Sequence, residues 1–218
     1  MSQRIIAIGD IHGCSRALAA LLKVVEPTSD DIIIQLGDTI DRGPDSRSVV
    51  EQLIELSSHC SLICVRGNHE ELLLNSLDDA AELPRWLRNG GCDTLKSYDC
   101  NDPALIPEQH LNFIRSSIDY LELDQFIFIH AGYVEDQPMS EQTPLALRWR
   151  VTNTNSRPHC SGKVIIAGHS PQRSGDILDI GHARCIDTNC VHGGWLTAME
   201  VTSRQVWQCS REGALRQR

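Results

Sequence analysis

The chain has 218 residues, 41% hydrophobic and 22% charged, which is enough for one full core and ordinary for a globular protein. Its formal net charge of -9 weighs against a role on duplex nucleic acid, whose partners carry a basic face. No apolar run approaches a membrane span, and Ile5-Ile6-Ala7-Ile8 is too short for a secretory leader, so a cytoplasmic protein without membrane contact is expected.

The first third alternates buried strands with amphipathic helices. Residues 4–8 read as a strand, and 15–25 as a helix with Leu18, Leu21, Leu22 and Val25 on one face. A strand follows over 32–36, then a helix over 47–58 carrying Val50, Leu53 and Ile54, a strand over 62–65 and a helix over 69–77. This β-α-β-α-β-α order predicts an α/β layered fold that opens with parallel strands. In the middle, 83–91 predicts a short helix closed by Asn89-Gly90-Gly91, and 108–117 another. Residues 120–123 and 125–129 predict two strands joined by a tight turn. The last third predicts strands over 164–167, 184–187, 195–201 and 205–209, with Thr202-Ser203-Arg204 as a turn before the final one. Without repeats, low-complexity tracts or linkers, residues 1–218 read as one domain.

Nine cysteines, with no Cys-x-x-Cys pair, predict reduced and mostly buried thiols rather than a zinc ribbon. Trp86, Trp195 and Trp207 read as packing residues, and His59, His110 and His159 as solvated.

The polar residues are unusual in their placement. Each strand of the first third ends in a compact cluster: Gly9-Asp10-Ile11-His12-Gly13, then Gly37-Asp38-Thr39-Ile40-Asp41-Arg42-Gly43, then Arg66-Gly67-Asn68-His69-Glu70. Two later strands run into His130-Ala131-Gly132 and Gly168-His169. Any one of these alone reads as a turn or a helix cap. In open α/β sheets, however, the carboxyl ends of strands converge on one crevice. That convergence would gather Asp10, His12, Asp38, Asp41, Asn68, His69, His130 and His169. Carboxylates and imidazoles without thiolates suit Mn, Fe or Zn, and a metal would offset the cost of burying so many acids together.

These motifs together resemble the phosphoprotein phosphatase superfamily of metallophosphoesterases, in its compact bacterial and phage form. The resemblance runs from residue 9 to about residue 169, and the Ile186-Asp187-Thr188 segment also fits. It implies an α/β calcineurin-like fold, a central β-sandwich flanked by helices in α/β/β/α layers. It implies two divalent metal ions per chain, Mn2+ first, with Fe or Zn as alternatives. Asp10 and His12 would bind the first, Asp38 would bridge, and Asn68, His130 and His169 would bind the second. His69 would be the general acid, oriented by Asp41, and Arg42 would bind phosphate oxygens along with Asn68. A second phosphate-binding Arg is implied after His130, at Arg148 or its rival Arg150.

The implied reaction is hydrolysis of phosphomonoesters by in-line attack of a water bridging the two metals. General chemistry agrees: two ions about 4 Å apart acidify a water and clamp the phosphoryl group, and an Asp beside a His favours the imidazolium. The expected substrates are phosphoserine and phosphothreonine in proteins, with phosphotyrosine or a small phosphate ester as further esters. The alternative within the superfamily is a diadenosine tetraphosphate hydrolase. A non-catalytic metal-binding interaction module is a more distant reading, opposed by the fact that every expected position is filled.

Overall fold

The computed structural model describes residues 3–217. Three short apolar strands open it: β1 (Ile5–Ile8), β2 (Ile32–Gln35) and β3 (Ser61–Cys64). Each is followed by a helix: α1 (Ser15–Val25), α2 (Ser46–Ser57) and α3 (Asn68–Asp78). The β-branched isoleucines suit a pleated, buried surface. β1 and β2 pair in parallel with Ile5 against Ile32, and β2 and β3 with Ile32 against Ser61. Helix α1 buries Ala17, Leu18, Leu21 and Val25, the spacing of one helical face, and ends where Glu26 takes the left-handed conformation. Asp45 caps α2 by accepting from Ser48 N at 3.1 Å.

A helical segment then leaves the sheet: α4 (Leu83–Trp86), α5 (Cys92–Ser97) and α6 (Glu108–Arg115). A second sheet follows, with β4 (Tyr120–Glu122), β5 (Phe126–Ile129), helix α7 (Pro144–Trp149), β6 (Val164–Ala167), β7 (Leu178–Asp179) and β8 (Ala183–Cys185). The last strands, β9 (Trp195–Glu200) and β10 (Val206–Ser210), return to the first sheet. The sheet orders are β10-β9-β1-β2-β3 and β4-β5-β6-β8-β7.

Alternation along the strands sorts the core into layers. Ile6 and Ile8 cluster with Leu18, Leu21 and Leu53 of the overlying helices. Ala7 faces the other way and joins Ile34, Phe128, Ile166 and Met199, drawn from both sheets. Ile127, Ile129, Ile165 and Ala167 form the outer layer of the second sheet with Leu147 of α7. Two mixed sheets therefore pack face to face between helices, the α/β/β/α order expected of the fold.

Some expectations shift. Asn89-Gly90-Gly91 does not stop a helix; Gly90, at φ 110°, bends a helical path that continues into α5. Helix α7 and strand β7 have no counterpart in the sequence reading, being six and two residues long and too short for a periodic signal. All nine cysteines are free, but only Cys14, Cys185, Cys190 and Cys209 are buried, while Cys92 and Cys160 are exposed. His110 and His159 are buried, not solvated: His110 meets Tyr98 Oη at 2.9 Å, and His159 bonds the Gln137 carbonyl at 2.8 Å. Among the described residues no helix is long and apolar enough to cross a membrane.

Candidate metal centre

The carboxyl ends of β1, β2, β3, β5 and β6 meet at one edge of the sandwich, and most of the predicted cluster assembles there. Local backbone is forced into place to do so. Of nine non-glycine residues with positive φ among the described residues, five belong to the motifs: His12, Asp38, Asp41, Arg42 and His169. Such conformations persist where the surroundings hold them, and they concentrate at functional sites.

Asp38 stands at the centre. Its Oδ2 lies 3.5 Å from His12 Nε2, and its Oδ1 lies 3.4 Å from His130 Nε2. One carboxylate thus faces an imidazole on each side. His12 Nδ1 donates to the Ile40 carbonyl at 3.0 Å and His130 Nδ1 to the Leu36 carbonyl at 2.7 Å, which turns both Nε2 atoms inward. His130 Nε2 is also 3.0 Å from Asn68 Oδ1 and 3.2 Å from His169 Nδ1. Asp10 is tied to the same edge, for His169 N donates to both of its oxygens at 3.1 Å. Ligand atoms of His12, Asp38 and His69 lie within 4.8 Å of one another, and so do those of Asp38, His130 and His169.

The loop carrying Asp38 is organised by Glu70. Its carboxylate accepts from Asp38 N and Thr39 N at 2.8 Å, Thr39 Oγ1 at 2.6 Å and Gly67 N at 2.9 Å. Glu70 stands in the third strand-end motif, where the sequence names no partner for it. Asp187, at the end of β8, is a further buried acid facing Asp10.

His69 is fully buried, with Nδ1 2.8 Å from Asp41 Oδ2, while its Nε2, 3.9 Å from Asp38 Oδ2, has no hydrogen-bond partner among the described residues. Asp41 is held in turn by Trp86 Nε1 and Thr94 Oγ1. Neither supporting residue carries a local signal. Trp86 does pack in the core as predicted, but its N–H also takes the carboxylate.

Charge in this pocket is poorly balanced by its own side chains. Burial, followed by the nearby Asp187 charge, holds the Asp10 carboxyl well above the usual range, and burial raises Asp187 to about 6. Burial lowers His12 to about 3 and His169 to about 4, leaving both imidazoles neutral. Burial also opposes charge on Asp38, His130 and His69. Their mutual attraction outweighs it, lowering Asp38 and raising His130 to about 10. For His69, burial is overcome by Asp38 and Asp41 together, so its pKa lies above the ordinary value. His12 is neutral with Nδ1 on a backbone carbonyl, and His130, oriented the same way, holds among these carboxylates a proton that a divalent cation would replace. The residues present fit such ions.

Arg42 sits on the rim, exposed, with Nη1 3.0 Å from His12 Nε2. Arg148 is buried, and its two terminal nitrogens are taken by Glu71 and Asp119. Arg150 is half exposed and pairs with Glu135 at 3.1 Å.

Fold and site together define a metallophosphoesterase. The chain belongs to the calcineurin-like phosphoesterase family, whose signature matches residues 3–195. It is 36% identical to serine/threonine-protein phosphatase 1 of Salmonella typhimurium, over 89% of this chain and 90% of that one. It is 28% identical to the symmetrical bis(5'-nucleosyl)-tetraphosphatase of Cellvibrio japonicus, over 94% of this chain and 98% of the other. Among solved structures, the cold-active protein-tyrosine phosphatase of a Shewanella species shares the fold with a TM-score of 0.72 at 16% identity, covering 99% of this chain and 80% of that one.

Proposed function

We propose that residues 1–218 form one catalytic domain that hydrolyses phosphomonoesters with two divalent metal ions, manganese first, and that its substrates are phosphoserine and phosphothreonine in proteins. The observation that carries this is Asp38 set between His12 and His130, beside a buried His69 Nε2 that has no hydrogen-bond partner among the described residues. Asp10, His12 and Asp38 would hold one ion, and Asp38, Asn68, His130 and His169 the other. When bound, the ions supply positive charge to the phosphoryl oxygens and lower the pKa of the attacking water.

The chain's own groups do the rest. The Arg42 guanidinium is at the rim, where its fork suits phosphate oxygens. Arg150 serves as the second anchor: its pair with Glu135 uses one terminal nitrogen, whereas Arg148 has both committed to carboxylates. His69 keeps its Nδ1 proton on Asp41 and offers a proton from Nε2 to the departing alkoxide. Exclusion of water from this side chain keeps the donor from competing with bulk solvent.

A protein substrate is supported by length. The Salmonella relative matches nearly end to end, whereas the Cellvibrio match runs over 268 positions against 218 residues here, so that relative carries at least 50 positions this chain lacks. The second reading, a dinucleoside tetraphosphate hydrolase, is favoured by several relatives of that name, including a Geobacillus protein covered over 89% of each chain. The two are separated by kcat/KM on a phosphoserine peptide and on diadenosine tetraphosphate. The peptide is expected to be preferred by about tenfold or more. The reverse preference would transfer the chain to the second reading.

A further inference from the structure

Asp41 is gripped by side chains from a part of the chain that contains none of the strand-end motifs. Trp86 Nε1 donates to Oδ1 at 3.1 Å and to Oδ2 at 3.0 Å, and Thr94 Oγ1 donates to Oδ1 at 2.6 Å. The Thr94 hydroxyl also accepts from Asp41 N at 3.0 Å, as does Ser46 Oγ. Asp41, Trp86 and Thr94 are all wholly buried. Both donors lie on the helical segment bent at Gly90, whose carbonyl accepts from Arg42 N at 3.4 Å.

A buried indole N–H needs a partner, but any backbone carbonyl would do. Here it takes a carboxylate already bonded to an imidazole. With Oδ1 held by Thr94 and Trp86, Asp41 cannot swing about its side-chain torsions, and Oδ2 is fixed against His69 Nδ1. Asp41 itself sits at φ 72°, a conformation that must be held by its neighbours. The orientation of the His69 ring, and so the direction of Nε2, is therefore set by the docking of residues 83–97 onto the sheet edge.

We propose that Trp86 and Thr94 are positioning residues for the phosphatase reaction: they lock Asp41 and thereby aim His69 Nε2 at the leaving oxygen. This rests on His69 being the proton donor. In that step a water oxygen forms a new bond to phosphorus, the P–O bond to the leaving group opposite breaks with its electron pair staying on the leaving oxygen, and the Nε2 proton goes to that oxygen. A good leaving group such as p-nitrophenolate departs without the proton; a serine alkoxide does not.

The test compares kcat and KM for a phosphoserine peptide and for p-nitrophenyl phosphate in the manganese-loaded protein. Thr94→Val and Trp86→Phe are expected to lower kcat on the peptide by about tenfold or more and on p-nitrophenyl phosphate by less than about threefold, with KM and metal content unchanged. Thr94→Ser restores the peptide rate to within about threefold of the parent. Equal losses on both esters, no loss on either, or no rescue by serine would overturn the positioning role. If Thr94→Val does not fold, Trp86→Phe makes the same comparison through its own N–H. His69→Asn, measured alongside, is expected to show the same bias more strongly. A biased His69→Asn with unbiased Thr94→Val and Trp86→Phe overturns the positioning role alone; an unbiased His69→Asn removes the proton donor, and this inference falls with it.

Discussion

His69 Nδ1 lies 2.8 Å from Asp41 Oδ2, and neither side chain reaches solvent. A dyad so enclosed can hold a proton at Nε2 without losing it to bulk water. His69→Asn keeps a polar side chain at this position but removes the imidazole that carries the acidic proton. Turnover of a phosphoserine peptide is expected to fall by about 100-fold or more, with metal content at the parent level. Parent-level turnover would remove His69 from the reaction.

Asp38 contributes one oxygen on each side of the cluster, toward His12 and toward His130. Removing that carboxylate should therefore weaken both metal positions at once. Metal analysis of Asp38→Ala after gel filtration is expected to find neither equivalent retained, whereas retention of one ion per chain would show that Asp38 serves only one position.

Gly168 gives a sharper geometric test. A Cβ there would lie 2.1 Å from Asp10 Oδ1, where no side chain can stand. Gly168→Ala must displace the Asp10 carboxylate that His169 N now holds. Turnover is expected to drop by about tenfold or more with an unchanged far-ultraviolet circular dichroism spectrum. Undiminished turnover would show that Asp10 is not needed in this position.

Away from the site, Arg4 holds Asp31 through Nε at 2.9 Å and Nη2 at 2.6 Å. The Arg4 hydrogen bonds, helped by Thr28, outweigh the cost of burial and depress the Asp31 carboxyl to about 2. The folded state thus binds this proton less readily than the unfolded chain, whose carboxyl titrates near 4. The stabilisation is complete above about pH 4 and is lost as the pH falls toward 2, and it amounts to about 1–2 kcal/mol once screening of the partly exposed Arg4 is allowed for. Urea unfolding between pH 5 and pH 2.5 should show Asp31→Asn losing less stability than the parent. Parallel curves would deny the pair this role.

The strand-end acids and histidines were legible because short isoleucine strands and polar strand ends are local patterns, and parallel sheets bring such ends together. Residues 15–25 carry enough periodicity to be read to the residue as α1. The supports of the dyad are of another kind. Trp86 and Thr94 reach Asp41 across 45 and 53 residues, and nothing near them in the chain names that partner. Asn89-Gly90-Gly91 was visible, but a glycine that bends a helix and one that ends it look alike in sequence. The Arg148 fork depends on Glu71 and Asp119, which the tertiary fold alone brings within reach. The burial of His110 and His159 is hidden for the same reason: Tyr98 and the Gln137 carbonyl, which they bond, lie 12 and 22 residues away in the chain.

Metal dependence of turnover is the most direct measurement. The protein is stripped with a chelator, manganese is titrated back, and p-nitrophenyl phosphate hydrolysis is followed against metal bound per chain. Hydrolysis should be absent from the stripped protein and rise to its plateau at about two ions per chain. Hydrolysis at the full rate by the stripped protein would contradict the assignment of this cluster as a dinuclear phosphoesterase centre.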